Sequence, residues 1–587
     1  MTETSKQPKI WYKRKCLWFI VIIVLLIYFC FVPSRTRISP ETTFITEPLK
    51  TNGDVDYLIA FKRTYIDKHS SPEESGRRLI IAAIGPRVLE QIPLTDIVTW
   101  EEIPTNETSK DWFHNQWIPL CELLYIDPYK KPMFYEKRGF NSYMKEYFKE
   151  QKNDTEDVAN HDSSFDNCEK LFEKVTAVPW KREDYPEVGK WLDEYSEVLD
   201  YYGMCVRKPH FACWQWKYGE GNLVSVLCPD IRANRDFVRN LHVRINERIG
   251  RGDIEGAWYD VMTLKLLACH SINESIFATN FVGIFINNIA DVSIKLILIH
   301  CPLNEEQLAK FVSDLNSLPP IDPIVPYLNF ERLLKFQLLQ FFSRYRLYRD
   351  IILKADNSVQ NVPEVFRLIL HLPFDANITG KHLTKLYGDY GLQDSEHLIS
   401  NPVLRRQYAD KFEKRLQKIQ HKIRLKNSLY RVPLIRTRSE LMAECIFVYL
   451  SSTLGSMVTT FDRYDTKKEM QQIAIALERY KLANGKYPDQ LDELVPKYMD
   501  MTPIDPYTGR TSFVYKLRDT AKELTSETSE TSNAKQPSTE TTTTTAESSK
   551  PTELPYILYS LGPDGKDNSG ILPSKSQQNS LDYDIVF

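Results

Sequence analysis

The loop Gly562-Pro563-Asp564-Gly565-Lys566-Asp567-Asn568-Ser569-Gly570, followed by Asp582-Tyr583-Asp584, is the stretch of this chain best equipped for chemistry. Its residue types suit one task. Calcium takes six to eight oxygen ligands, and glycines let carbonyls and carboxylates converge on one point. A metal held there folds the loop and does not catalyse. The spacing is not that of an EF-hand, which needs Asp-x-Asp-x-Asp-Gly with a Glu at position twelve. The bland reading of the same residues is an acidic turn that holds no metal.

No second motif competes with it. Gly562-Pro563-Asp564-Gly565-Lys566 is too short for a phosphate-binding loop and no helix follows it. Gly250-Arg251-Gly252 fails the dinucleotide pattern because position 255 is Glu. Neither H-E-x-x-H nor G-x-S-x-G occurs. His210, His242, His270 and His300 stand singly, as surface or core residues. Trp214-Gln215-Trp216-Lys217-Tyr218 is aromatic enough to stack on a sugar or peptide, although aromatics more often carry cores. The ten cysteines include no C-x-x-C, so zinc ribbons and dithiol redox motifs are unsupported. Pairing among Cys205, Cys213 and Cys228 and unpaired burial both stay open.

The elements that must position the acidic loop begin at Lys467. Met470, Ile473, Leu477 and Tyr480 recur at helical spacing, so one face is apolar and the other charged. Gly485 after Asn484 ends the helix, and Pro488 cannot continue it. A short helix over Asp489–Val495 and a turn at Asp505-Pro506 follow. Phe513–Leu517 and Tyr556–Leu561 read as strands. Between them, Leu524–Glu553 is rich in Thr, Ser and Glu, cannot bury a core, and reads as a disordered insert over 520–553. Loops of this kind accept insertions at little energetic cost.

The run Ala476-Leu477-Glu478-Arg479-Tyr480-Lys481-Leu482-Ala483-Asn484-Gly485-Lys486-Tyr487-Pro488 resembles the helix end of type II secretion major pseudopilins. Asp505-Pro506-Tyr507-Thr508-Gly509 is similar to their D-P turn, Ser560-Leu561-Gly562-Pro563-Asp564-Gly565 to their S-x-G-x-D-G loop, and Asp584-Ile585 to their closing D-I. The four landmarks fall in the family's order over about the last fifth of the chain. The resemblance implies a helix packed on a small antiparallel sheet, with calcium in the last loop. It places side-chain ligands at Asp564 and Asp584, helpers at Asp567 or Asp582, and a main-chain carbonyl at Leu561. A pseudopilin begins with a processing site and a long apolar helix that runs straight into this module. Here the module starts near 461, so the expectation is a pseudopilin-like module fused to something larger.

At 587 residues the chain holds about three or four domains by length. Hydrophobic content of 42% and charged content of 26% are those of a globular protein, and a net charge of −3 offers no basic field for nucleic acid. The run Cys16-Leu17-Trp18-Phe19-Ile20-Val21-Ile22-Ile23-Val24-Leu25-Leu26-Ile27-Tyr28-Phe29-Cys30-Phe31-Val32 is uncharged and reads as one membrane span. Trp11 and Tyr12 extend it into the interface, and Lys9, Lys13, Arg14 and Lys15 before it favour the N-terminus inside. No small-x-small cleavage pattern follows, so the reading is an uncleaved anchor. The location expected is a bacterial inner (cytoplasmic) membrane, single-pass, with the bulk of the chain on the periplasmic or extracytoplasmic side.

The chain between the anchor and the loop is mostly helical. Residues 33 to about 55 read as a juxtamembrane linker. Leu79–Ile84 is a buried strand or a helix fragment, and Gln151–Asp166 reads as a loop. Pro186 opens a helix with a stripe of Val188, Trp191, Tyr195, Val198 and Tyr202. Phe237, Leu241 and Ile245, then Ile254, Trp258, Val261, Leu264 and Ala268, form a helical hairpin broken at Gly250–Asp253, with Asp253 as N-cap. A helix runs over about Glu274–His300, and Phe277–Cys301 is apolar enough to suggest a second span, but Asn280, Asn287, Asn288, Asp291 and Lys295 favour a buried helix. Asn304 and Gln307 make a capping-box pattern. Phe330–Tyr348, Pro363–Leu372, Asn401–Lys426 and Ser439–Phe461 follow, the last continuing as one long helix into the C-terminal module.

The fold expected is mainly α: an N-terminal transmembrane helix, an exported helical-hairpin or solenoid-like domain, and a C-terminal α+β pseudopilin-like module. Boundaries fall at 1–35, 36–229, 230–460 and 461–587. The function expected is an envelope scaffold or adaptor with protein partners, without nucleic acid and without catalysis. Alternatives are a secretion-system component and an envelope enzyme whose site is assembled from distant residues of the helical region.

Overall fold

The computed structural model describes residues 36–65, 75–85, 132–134, 137–150, 161–208, 211, 223, 230–274, 276–321, 324–344, 374–389, 402–427, 435–450, 454–509, 511–518, 553–563, 565–570 and 585–587. Cys16–Val32, Pro363–Leu372, the aromatic run 214–218, the insert 520–553 apart from its last residue, and Asp564, Asp582 and Asp584 lie outside them. The described chain is mainly helical.

The short α1 (Pro40–Thr43) precedes α2 (Tyr57–Tyr65) and α3 (Gly76–Ile84). The apolar run Leu79–Ile84 is thus helical, and Gly85 ends it with φ 76°. Next come α4 (Phe140–Glu150), α5 (His161–Ala177) and α6 (Pro186–Val206). The expected loop over Gln151–Asp166 gives way to helix from His161. That polar first turn leads into the apolar face of Leu171 and Val175, whose burial sustains it.

The hairpin is α7 (Asp230–Arg251) and α8 (Ile254–Ile272). Gly252 takes φ 82° at the turn, where a Cβ would meet no neighbouring atom, and the Asp253 carboxylate accepts from Gly256 N at 2.9 Å as the N-cap. After α9 (Phe277–His300), α10 (Glu305–Asn316) opens on the expected capping box between Asn304 and Gln307. Helix α11 (Ile324–Arg344) begins earlier than its stripe predicts, because Pro326 in a first turn loses no helical hydrogen bond. Then follow α12 (Ala376–Asp389), α13 (Pro402–Asn427), α14 (Ile435–Leu450) and α15 (Leu454–Asn484). The expected Ser439–Phe461 helix therefore arrives as two elements. Leu491–Leu494 is a 3-10 turn in place of the expected short helix.

Three strands close the chain: β1 (Val514–Leu517), β2 (Tyr556–Ser560) and β3 (Ile585–Val586). They form one antiparallel sheet in the order β1-β2-β3, with Val514 opposite Tyr559 and Ser560 opposite Ile585. Arg518 N donates to Pro555 O at 3.0 Å, so the insert leaves and re-enters at the tip of the β1–β2 hairpin.

Two large hydrophobic cores form among the described residues. One gathers α3–α10, the C-terminal half of α15 through Met470, Ile473 and Leu477, and the sheet through Tyr556, Leu558 and Ile585. The other gathers α2, α11–α14 and the N-terminal half of α15 through Met457, Phe461 and Tyr464. Ile473 to Leu477 are buried in succession, so α15 is enclosed on all sides there. Burying each of Ile473, Ile475 and Leu477 contributes about 1.5–3 kcal/mol.

Among the described residues one helix segment, Ala278–His300, is long and apolar enough to cross a membrane, and half of its most apolar window is buried inside the protein. Its polar residues have partners in the fold: Asn280 donates to Ile272 O and Glu274 O, and Asn287 to Asp291. Cys168, Cys205 and Cys269 are buried, unbridged thiols, and burial pushes the Cys205 thiol up to about 12.

Candidate functional site

The acidic loop leaves β2 at Ser560, which is fully buried. Its hydroxyl lies 3.0 and 2.9 Å from the two oxygens of Asp505, also fully buried. Leu561 N donates to the same carboxylate at 3.3 Å and Tyr507 N at 2.8 Å. Gly562 N donates to Ser560 Oγ at 3.1 Å. The D-P turn and the S-x-G loop, 55 residues apart, therefore share one carboxylate.

The turn is also held from outside. Arg406 on α13 donates to Tyr507 O at 3.1 Å and to Pro506 O, and stacks over the Tyr507 ring at 4.7 Å. Gly509 sits at φ 63° against Val403, where a Cβ would come within 3.0 Å. Burial raises the Asp505 carboxyl above its ordinary range; the amide of Tyr507, the Ser560 hydroxyl, the Leu561 amide and Arg406 pull the other way. Asp505→Ala is expected to destabilise the protein by about 2–3 kcal/mol, because it strands buried donors. A melting curve checks the loss. Faster hydrogen exchange at Leu561 and Gly562 localises it to the loop.

Beyond Gly562 the loop turns back on the outer face of β2. Gly562, Gly565, Ser569 and Gly570 all have φ between 64° and 70°. At Gly570 a Cβ would lie 3.0 Å from Ile557 and 3.1 Å from Tyr559. Asp567 serves this fold. Its Oδ1 accepts from Tyr559 OH at 2.8 Å and from Ser569 N at 2.7 Å, while Oδ2 lies 4.0 Å from Lys516 Nζ. The Tyr559 hydrogen bond, then the Ser569 amide, hold this exposed carboxyl below its ordinary range.

Of the expected calcium ligands, Leu561 and Asp567 are described, and Asp564, Asp582 and Asp584 are not. Among the described residues no group of three His, Cys, Asp or Glu is placed to hold a metal. The left-handed glycine turns and the exposed Asp567 carboxylate fit the oxygen-rich loop that calcium needs, although Oδ1 is already engaged. Asp505 and Arg406 are missing from the sequence reading of the site. Asp505 was visible only as a turn residue, and nothing in the pattern around Arg406 pointed to a carbonyl partner.

A second polar cluster fixes α15 to the helical body. Lys265 Nζ on α8 lies 2.6 Å from Asp291 Oδ1 and 2.9 Å from Asn287 Oδ1 on α9, and 3.0 Å from Gln471 Oε1 on α15. Further along, Arg405 on α13 holds Asp462 and Asp465 of α15. The chain matches no protein-family model, no curated protein sequence and no solved structure.

Proposed function

We propose that this chain is a single-pass, N-inside scaffold or adaptor of a bacterial envelope, non-enzymatic, whose helical body carries a pseudopilin-like module with a calcium-folded last loop. The observation that carries the reading is the shared Asp505 carboxylate. Two of the landmarks on which the pseudopilin resemblance rests meet there, next to a helix that packs on an antiparallel sheet. In this reading Asp564 and Asp584, with Asp567 or Asp582 and the Leu561 carbonyl, would hold calcium, and the metal's contribution is to fold the loop.

A scaffold is favoured over a filament subunit by the surroundings of α15. Asp462, Asp465 and Gln471 are engaged by α13 and α8, and the segment around Ile473–Leu477 is buried. Such a helix is not offered to a neighbouring subunit.

Calorimetric titration of the full chain in neutral detergent with calcium tests the module. Binding at a single site that Asp564→Ala and Asp584→Ala each weaken at least tenfold is the expected result. No binding by a cooperatively folded wild-type protein would remove the metal from the reading.

A further inference from the structure

Residues 36–44 lie as a strap across α11 and α12. Thr36 Oγ1 is 3.3 Å from Ser343 Oγ, and Arg37 N donates to Asn377 Oδ1 at 2.6 Å. Thr384 Oγ1 donates to Glu41 O at 2.8 Å, and Tyr57 OH to Thr43 O at 2.9 Å. The strap passes so close to α12 that a Cβ on Gly380 would come within 2.2 Å of Thr42 O. It ends on Phe44, an aromatic residue at φ 65° and ψ −48°, in the left-handed half of backbone space that such residues avoid.

The Phe44 ring lies on a cation. The Arg332 guanidinium of α11 sits 3.5 Å from the Phe44 ring centroid and 5.0 Å from that of Tyr387 on α12. Arg332 is 7% exposed, and its Nε has no hydrogen-bond partner. Among the described residues no carboxylate pairs with it; the adjacent Glu331 carboxylate lies 3.3 Å from Lys335 Nζ instead. The Tyr387 hydroxyl, on a side chain 1% exposed, is likewise buried without a partner. Stacking on two rings returns only part of the hydration that a guanidinium loses on burial. Burial accordingly lowers the pKa of Arg332.

A buried guanidinium Nε lacking an acceptor, a buried phenol lacking a partner, and an aromatic cap at positive φ over the guanidinium are together the parts of an anion site in its closed state. We propose that Arg332 and Tyr387 bind a phosphate oxyanion, admitted when Phe44 swings off the guanidinium. A guanidinium presents parallel N–H donors that match two phosphate oxygens, and the phenol supplies a third. The phosphate is either free in solution or part of a lipid headgroup, and the two sources are separable by experiment.

The test uses the full chain in a neutral maltoside detergent. Its melting temperature is followed against sodium phosphate at constant ionic strength. The expected result is a saturable rise that Arg332→Met abolishes while its melt stays cooperative. Phe44→Ala should reach the same rise at phosphate concentrations at least threefold lower, because no ring competes. Micelles doped with phosphatidylglycerol are then compared with phosphatidylcholine. A rise at lower concentration than inorganic phosphate needs, specific to phosphatidylglycerol, assigns the site to a headgroup. A rise with inorganic phosphate alone assigns it to the free ion. No saturable rise in the wild type with either source, or an equal rise in Arg332→Met, overturns the proposal. Should Arg332→Met fail to fold, an unchanged half-saturation in Phe44→Ala overturns it.

Discussion

Asp291→Ala is expected to destabilise the protein by about 3–5 kcal/mol and to free α15 from α8 and α9. The Lys265 ammonium is 3% exposed and faces one carboxylate and two amide oxygens. Removing the carboxylate leaves a buried charge with neutral partners only, and Gln471 Nε2 loses its acceptor as well. Replacing both charges tells the two contributions apart. Lys265→Met with Asp291→Leu should cost about 1–3 kcal/mol, less than the single change, because it leaves no buried charge and strands only the neutral amides of Asn287 and Gln471. Urea midpoints measure both variants. Exchange of the α15 amides should speed up more in the single variant than in the double one. A loss below about 1 kcal/mol in Asp291→Ala would mean that the ammonium is rehydrated where it stands.

Acid should destabilise the protein through His242 on α7 and His270 on α8. Burial lowers both from an ordinary value of 6.5 to about 4. His270 keeps its Nε2 3.0 Å from Val206 O and stacks on Phe211 at 4.9 Å, while His242 Nε2 is buried with no partner. The folded-state value lies below the unfolded one, so the unfolded chain takes up each proton first. The stability tied to neutral imidazole is complete above pH 6.5 and is lost as the pH falls toward 4. The loss is about 1.4 kcal/mol per pH unit for each histidine, or about 3 kcal/mol by pH 4. Carboxyl groups raised by burial, among them Asp505 and Glu478, run the opposite way, so the raw curve mixes the two. The stability difference between wild type and His242→Leu, or His270→Phe, isolates each histidine. It should be flat above about pH 7 and slope downward below 6.5. A difference flat down to pH 4 would show the imidazoles to be hydrated in the folded protein.

What the sequence made legible is what a helix decides locally. Asp253 caps its helix because a side chain three residues before an amide can reach it, and Asn304 with Gln307 follows the same short-range geometry. The stripes through Phe237 and Trp258 mark a buried face for the same reason. The polar contacts that build the site obey no such period. Asp505 meets Ser560 across 55 residues, Arg406 meets Tyr507 across 101, and Lys265 meets Gln471 across 206. Each depends on where packing brings two elements, and a lysine within an apolar stripe looks the same whether it emerges to solvent or finds an internal carboxylate. The loop over Gln151–Asp166 went astray at its end for a related reason. The polar first turn of α5 belongs to a helix whose first described buried residue is Cys168.

The sharing of α15 between the two cores sets an order on synthesis. Neither cluster can close until Met457 to Leu477 have left the ribosome, although one gathers residues from as early as Val55 and the other from Ile80. Several hundred residues of amphipathic helix must therefore wait with apolar faces uncovered, and a chain arrested before position 454 has no finished core to fall back on. Such a protein should depend on holding chaperones during its production more than a chain of equal length whose domains close one after another.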